Sequence, residues 1–250
     1  AASDVYKRQM DPGHQDVADR HLLNRHVRYY GDDVAVVIAE NEVAAMQGVR
    51  ALKVEYEELP FVLDVQKAME PDAPQIHENY PGNILKHTDI RKGDYAAAIQ
   101  EPGLVKVEGW YETPTVQHCH IENHGCYAYE ENGRVVVVSS TQIVFHCRRI
   151  IANALHIPKS MIRVSKPRIG GGFGAKQTSI SEVYPAYVTW MTKKPSKIIF
   201  TREESMTAST PRHEMEVHVR LGASKDGIVN GIDMYTLSNT GAYGLSLIHI

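Results

Sequence analysis

The run Ile162-Arg163-Val164-Ser165, followed by Arg168-Ile169-Gly170-Gly171-Gly172-Phe173-Gly174-Ala175-Lys176-Gln177, decides how the chain reads. The β-branched run marks a strand. The glycines after it mark a turn whose backbone N–H groups meet a neighbour without Cβ interference. Such a loop suits an anionic ligand. It departs from a P-loop, because Lys176 does not directly follow a glycine and Gln177 stands where a Ser or Thr would bind magnesium. Gly170, Gly172 and Ala175 satisfy G-x-G-x-x-A between a strand and a predicted helix, the pattern of a dinucleotide-binding dehydrogenase module. That module also needs an acid about 20 positions on, near the end of the second strand. The next predicted strand ends at Phe200 and the acid after it is Glu203, a poor match. A turn that only permits tight strand-to-helix packing is the third reading. Phe173 speaks for function, since a bulky ring in such a turn needs something to cover.

Working outward, the hydrophobic periodicity gives a mixed α+β chain. Residues 27–59 read as strand, turn, strand, helix and strand: Val27 to Tyr30, Val34 to Ala39, a helix capped by Asn41, then Leu52 to Tyr56. Residues 60–103 are rich in Pro, Asp, Glu and Asn and read as a linker wrapped on a surface. Strands follow at Leu104 to Tyr111, Tyr127 to Tyr129 and Val135 to Val138, the last two joined by an Asn132-Gly133 hairpin turn. Thr141 is placed to cap a helix from Gln142 to His156, stopped by Pro158. After the glycine loop come a helix to Met191, a strand Lys197 to Phe200, and a hairpin of Met215 to Leu221 with Ile228 to Leu237.

The 250 residues carry 27 Lys and Arg against 30 Asp and Glu, a net charge of -3, which argues against nucleic acid as a partner. No apolar run approaches the roughly 20 residues of a membrane span and no signal peptide is evident, so no membrane association and a cytoplasmic location are expected. Cys119, Cys126 and Cys147 lack a C-x-x-C spacing and are expected to be reduced and mostly buried; they give no zinc or iron–sulfur pattern. His118, His120, Glu122 and His124 would share one face if they lay on a strand, a face suited to a transition metal or to lining a cavity. Nothing else in the chain completes a metal shell, and no metal ligand is assigned. Arg148, Arg149, Arg163, Lys166 and Arg168 add positive charge near the loop.

The ends are of a different kind. Asp4 to Gln9 can be encoded as GATGTGTATAAGAGACAG, whose reverse complement encodes Leu245 to Ile250. This DNA matches a transposon end used to tag libraries. Residues 1–9 and 245–250 are therefore expected to be tag-derived and unpacked, and Met10 to Gly244 a piece of a longer reading frame.

Ser140-Thr141-Gln142, the helix after it, and Arg168 to Gln177 together resemble the molybdenum-binding subunit of the xanthine dehydrogenase and aldehyde oxidase family. Val27 to Val37 and Val54-Glu55-Tyr56-Glu57-Glu58-Leu59-Pro60 are similar to that family's α/β hammerhead domain, and Thr201-Arg202-Glu203-Glu204 continues the likeness. The resemblance implies a hammerhead domain over 10–75, a linker over 76–103 and the first part of a molybdopterin-binding domain over 104–244. It implies a molybdenum–pterin cofactor that hydroxylates a purine, another N-heterocycle or an aldehyde with oxygen from water. Electrons then leave through [2Fe-2S] clusters to FAD on partner subunits or missing segments, in an oligomer. By match, Gln142 would hydrogen-bond a metal oxo group and Phe173 and Gly174 would stand beside the metal, with Gly171 and Gly172 lining the cofactor. Gln177 falls where xanthine-specific animal members carry a substrate-contacting Glu. The family's base glutamate and substrate arginine would lie beyond Gly244, which leaves this chain inactive by itself.

Overall fold

A computed structural model describes residues 22–244. The expectation for the two ends, 1–9 and 245–250, lies outside the described residues. Along the described chain run α1 (Glu42–Ala51), α2 (Tyr95–Ala98), β1 (Val105–Thr113), β2 (Gly125–Glu131), β3 (Arg134–Ser139), α3 (Val144–Ala154), β4 (Ile162–Ser165), α4 (Val183–Thr192), β5 (Ser196–Ile199), α5 (Arg202–Thr207), β6 (Glu214–Ala223) and β7 (Val229–Asn239). The chain forms two compact units. One contains residues up to Phe61, Gln117–Pro211 and the segment from Ala242; the other contains Val62–Val116 and Arg212–Gly241. No helix of the described residues is long and apolar enough to cross a membrane.

The first unit is built on a four-stranded sheet in the order β4-β3-β2-β5. Asn132 and Gly133 both take positive φ (53° and 77°), which gives the two-residue turn whose twist suits a hairpin and pairs β2 antiparallel with β3. β3 and β4 are parallel, so the chain between them must cross over, and α3 is that crossover. Cys147, Ile151 and Ala154 of α3 and Val183 and Ala186 of α4 bury themselves on Ala128, Val135, Val137 and Val164 of the sheet. Val135 and Val137 share one face of β3, which is legible in sequence as a β-branched run, and the α3 positions recur at three and four residues, which makes its buried face legible too.

Three local expectations change. Residues 27–30, 34–39 and 52–56 form no strand, because their backbones meet no ladder partner among the described residues. The helix between them forms as expected, with the Asn41 side chain accepting from Ala44 N at 2.9 Å. It lies so close to the extended segment before it that a Cβ on Gly48 would fall 2.6 Å from Val37 Cγ1. Thr141 does not cap α3: its hydroxyl accepts from Ile143 N at 3.1 Å, and the helix begins two residues later than expected, at Val144. The glycine loop does not open a helix either, since α4 starts only at Val183.

The second unit is an antiparallel sheet in the order β1-β6-β7. Residues 76–103, expected as a linker, contribute α2 to it. A Cβ on Gly222 would lie 2.4 Å from Ile99 Cδ1, and one on Gly231 3.2 Å from Tyr95 Cδ2, so these paired glycines let the helix settle on β6 and β7.

Candidate active site

Topology assembles the site. β3 and β4 run parallel, so the loops leaving their carboxyl ends, Ser140 to Ile143 and Lys166 to Glu182, emerge at the same end of the sheet. The segment entering antiparallel β2 arrives there too, because Cys126 pairs with Ser139, and so does the chain leaving β5, because Gly125 pairs with Ile199. Ligands of parallel sheets bind at this carboxyl end.

Gln142 and the glycine loop meet there. Gln142 Oε1 accepts from Gly174 N at 3.1 Å and from Lys176 N at 3.2 Å, and Gln142 N donates to Lys176 O at 2.8 Å. Gly172 is pressed onto the same side chain: a Cβ there would fall 2.7 Å from Gln142 Cδ. Phe173 has a positive φ of 51° between Gly172 and Gly174, and the residue is 64% exposed. Gly171 and Gly174 also take positive φ, 98° and 107°, where a side chain would be strained.

The histidine segment is the other wall. His118 to His124 is not a strand, so the expected shared face does not form; Cys119 instead takes a positive φ of 50°. The segment packs against the glycine loop, with Glu122 N donating to Gly170 O at 3.2 Å. A Cβ on Gly170 would lie 2.6 Å from Glu122 Cβ, one on Gly171 3.1 Å from His120 Cβ, and one on Gly174 3.4 Å from His118 Nε2. The glycines are thus required first by internal packing. Arg202 clamps the segment from α5, donating to His120 O at 2.7 Å and Ile121 O at 2.6 Å.

Lys176 is the residue whose role the sequence did not reveal. Its side chain is 1% exposed, and Nζ donates to Glu122 O at 3.0 Å and Glu122 Oε2 at 2.7 Å. Burial works to raise the Glu122 pKa, but the hydrogen bonds from Lys176 and Gly170 outweigh it and hold the carboxyl below its ordinary value. Burial lowers His120, and burial with two neighbouring histidines and Lys176 pushes His124 down to about 4. His124 Nδ1 lies 2.7 Å from Ser205 Oγ. Among the described residues no group of three or more His, Cys, Asp or Glu is arranged to hold a metal ion.

Most of the loop's amides are committed within the fold. The Gly174 N–H is engaged by Gln142, so Gly174 holds the glutamine and offers no amide to a ligand. Gly170, Ala175, Lys176 and Gln177 likewise place their amides on Glu122, Gly172, Gln142 and Gly174. The amides of Gly171 and Gly172 make no hydrogen bond among the described residues. Of the basic residues, Arg148 donates to Lys159 O and Arg163 pairs with Glu131, both away from the loop. Gln177 is exposed at the end of the loop.

The family description "Molybdopterin cofactor-binding domain" matches residues 76–249, and "Aldehyde oxidase and xanthine dehydrogenase, a/b hammerhead domain" matches residues 1–60. The chain therefore belongs to the molybdopterin-binding family of aldehyde oxidases and xanthine dehydrogenases. It is 39% identical over 236 residues to the xanthine dehydrogenase molybdenum-binding subunit of Escherichia coli O157:H7, covering 94% of this chain and 31% of that one. It is 37% identical over 223 residues to the nicotinate dehydrogenase large molybdopterin subunit of Eubacterium barkeri, covering 89% and 52%. The aldehyde oxidoreductase of Desulfovibrio gigas shares the fold, with a TM-score of 0.81 at 24% identity over 94% of this chain and 26% of that one. The chain thus spans about a third to a half of the length of these curated relatives.

Proposed function

We propose that the loops at the carboxyl end of β3 and β4 hold the molybdenum–pterin cofactor of a hydroxylase acting on a purine, another N-heterocycle or an aldehyde. The Gln142 amide carries the proposal. Two backbone N–H groups face its Oε1, and only an oxygen can face them, so the NH2 is turned away from both as a donor. With the unengaged amides of Gly171 and Gly172, it makes a set of donors preorganised for an anionic, oxygen-rich group. A cation would find no ligand set there, whereas an oxoanionic metal centre suits it. When bound, the cofactor supplies the two-electron chemistry that places oxygen from water on an electron-poor carbon.

This chain's residues bind and orient. Gln142 Nε2 would donate to an oxygen of the group, the Gly171 and Gly172 amides would donate beside it, and the exposed Phe173 would shield it from water. Gln177 stands on the substrate side, able to donate and accept. Glu122 is a poor general base, because Gly170 N and Lys176 Nζ both donate to its Oε2 and lower its proton affinity. The isolated chain is accordingly inactive, and the base glutamate and substrate arginine come from elsewhere in the whole protein. Burial raises the Cys126 and Cys147 thiols, which disfavours the thiolates a cluster needs at these two positions. In this reading the [2Fe-2S] and FAD centres belong to partner subunits or to further segments of the whole protein, in a cytoplasmic oligomer.

The dinucleotide alternative is weaker, because the loop amides are not at a helix N-terminus: α4 begins only at Val183. Metal analysis of the purified whole protein separates the two. Near-stoichiometric molybdenum, lost in Gln142→Leu, is expected. Molybdenum-free protein that binds NAD through this loop would overturn the proposal.

A further inference from the structure

The glycine loop lies in the connection from β4 to α4, and one carboxylate oxygen joins its two ends. Glu122 Oε2 accepts Gly170 N at 2.9 Å and Lys176 Nζ at 2.7 Å. Lys176 is gripped again through its backbone, where Gln142 Oε1 accepts its amide at 3.2 Å. The lysine is therefore not a free cation awaiting a phosphate: its ammonium is buried, and its charge is answered inside the fold. Glu122 in turn sits on a segment whose carbonyls at His120 and Ile121 are fixed by the Arg202 guanidinium.

We infer that Glu122 is a positioning residue that closes the glycine loop through Gly170 and Lys176, setting the direction of the Gly171 and Gly172 amides. The physical reason is entropic. A run carrying four glycines between Gly170 and Gly174 has wide backbone freedom, and amides aim at a ligand without reorganisation only if something restricts them. Gln142 restrains the far half of the loop at Gly174 and Lys176, and Glu122 restrains the near half at Gly170. The Gly171 and Gly172 amides lie between these two anchors. The half-exposed Glu122 carboxylate is the less buried partner, so the pair stays charged. This closure concerns the loop itself; its consequence for cofactor retention rests on the function proposed above.

The test uses the whole protein in two states. In cofactor-free protein from a host unable to make molybdopterin, Glu122→Ala should speed amide hydrogen exchange across residues 170–177 by roughly tenfold while leaving the β2–β3 hairpin unchanged. Glu122→Gln, which keeps an oxygen acceptor for both donors, should restore most of the protection. In protein made with the cofactor, Glu122→Ala should lower molybdenum per chain roughly 10- to 100-fold, the effect typical of losing a second layer of support. Gly170→Ala gives an independent arm, since its Cβ would displace Glu122 while leaving both charges in place; the same loop-restricted exchange is expected. Exchange within twofold of wild type at 170–177 in both Glu122→Ala and Gly170→Ala would overturn the inference, as would faster exchange spread evenly over the first unit. Wild-type protein that carries no molybdenum would instead sink the functional proposal and leave the exchange result to judge the loop closure alone.

Discussion

Gln142 accepts the Gly174 N–H at 3.1 Å although all of α3 and β4 separate the two residues in sequence. The contact follows from one topological fact: the two connections leave the same end of a parallel strand pair. It turns a glutamine and a glycine loop into one rigid unit, in which the side-chain amide can present only its NH2 to anything that arrives.

Gln142→Glu separates holding the loop from donating to a ligand. A carboxylate still accepts from Gly174 N and Lys176 N, so the thermal stability of the whole protein should change by less than about 1 kcal/mol. It offers no N–H donors, so kcat should fall by roughly 10²- to 10³-fold, as when a preorganised donor is removed. Steady-state kinetics beside a thermal melt checks both halves. An unchanged kcat would show that Gln142 is only a brace.

Gly172→Ala tests the close approach from the other side. The added Cβ would stand 2.7 Å from Gln142 Cδ and Oε1, and the glutamine cannot yield without leaving both amides it holds. A cost of roughly 1–3 kcal/mol is expected from chemical denaturation, together with loss of molybdenum.

Much of this architecture is legible in the amino-acid sequence. The Asn132-Gly133 turn, the β-branched valine run of β3 and the helical spacing of α3 are local signals, and each forms where its residues place it, apart from the start of α3. What is not legible depends on partners distant in sequence. Val34 to Ala39 has strand-like composition, but a strand exists only with a ladder. The histidine segment reads as a strand face, yet its shape is set by Gly170, Gly171 and Arg202, residues about 50 to 80 positions away. Lys176 shows in sequence only as a departure from the P-loop pattern; the fold reveals Glu122 against its ammonium. A polar Glu122 in one motif and a lysine closing the other are the available hint, and nothing in the spacing joins them.

His124 gives the first unit an acid-side weakness. Its folded pKa of about 4 lies below its ordinary value of 6.5, so its contribution is complete above pH 6.5 and is lost as the pH falls toward 4. Urea unfolding between pH 7.5 and 4.5 should reveal a loss of up to roughly 3 kcal/mol from this group. His124→Asn should flatten that slope. An equally steep slope in the variant would assign it to other groups.

The start of α5 carries a capping box, with Thr201 Oγ1 accepting from Glu204 N at 3.1 Å and Glu204 Oε2 accepting from Thr201 N at 2.7 Å. Thr201→Ala should cost about 1 kcal/mol. Because Arg202 is the next residue, exchange of the His118–Glu122 amides should rise in the same variant. A melt unchanged by the substitution would show that the box is dispensable.

Whether these loops serve a hydroxylase drawing its oxygen from water is decided by turnover of the whole protein in ¹⁸O-labelled water. The product should carry solvent ¹⁸O and form at a rate that collapses in Gln142→Glu. Product free of solvent oxygen, or labelled product formed at the wild-type rate by that variant, would contradict the proposed function.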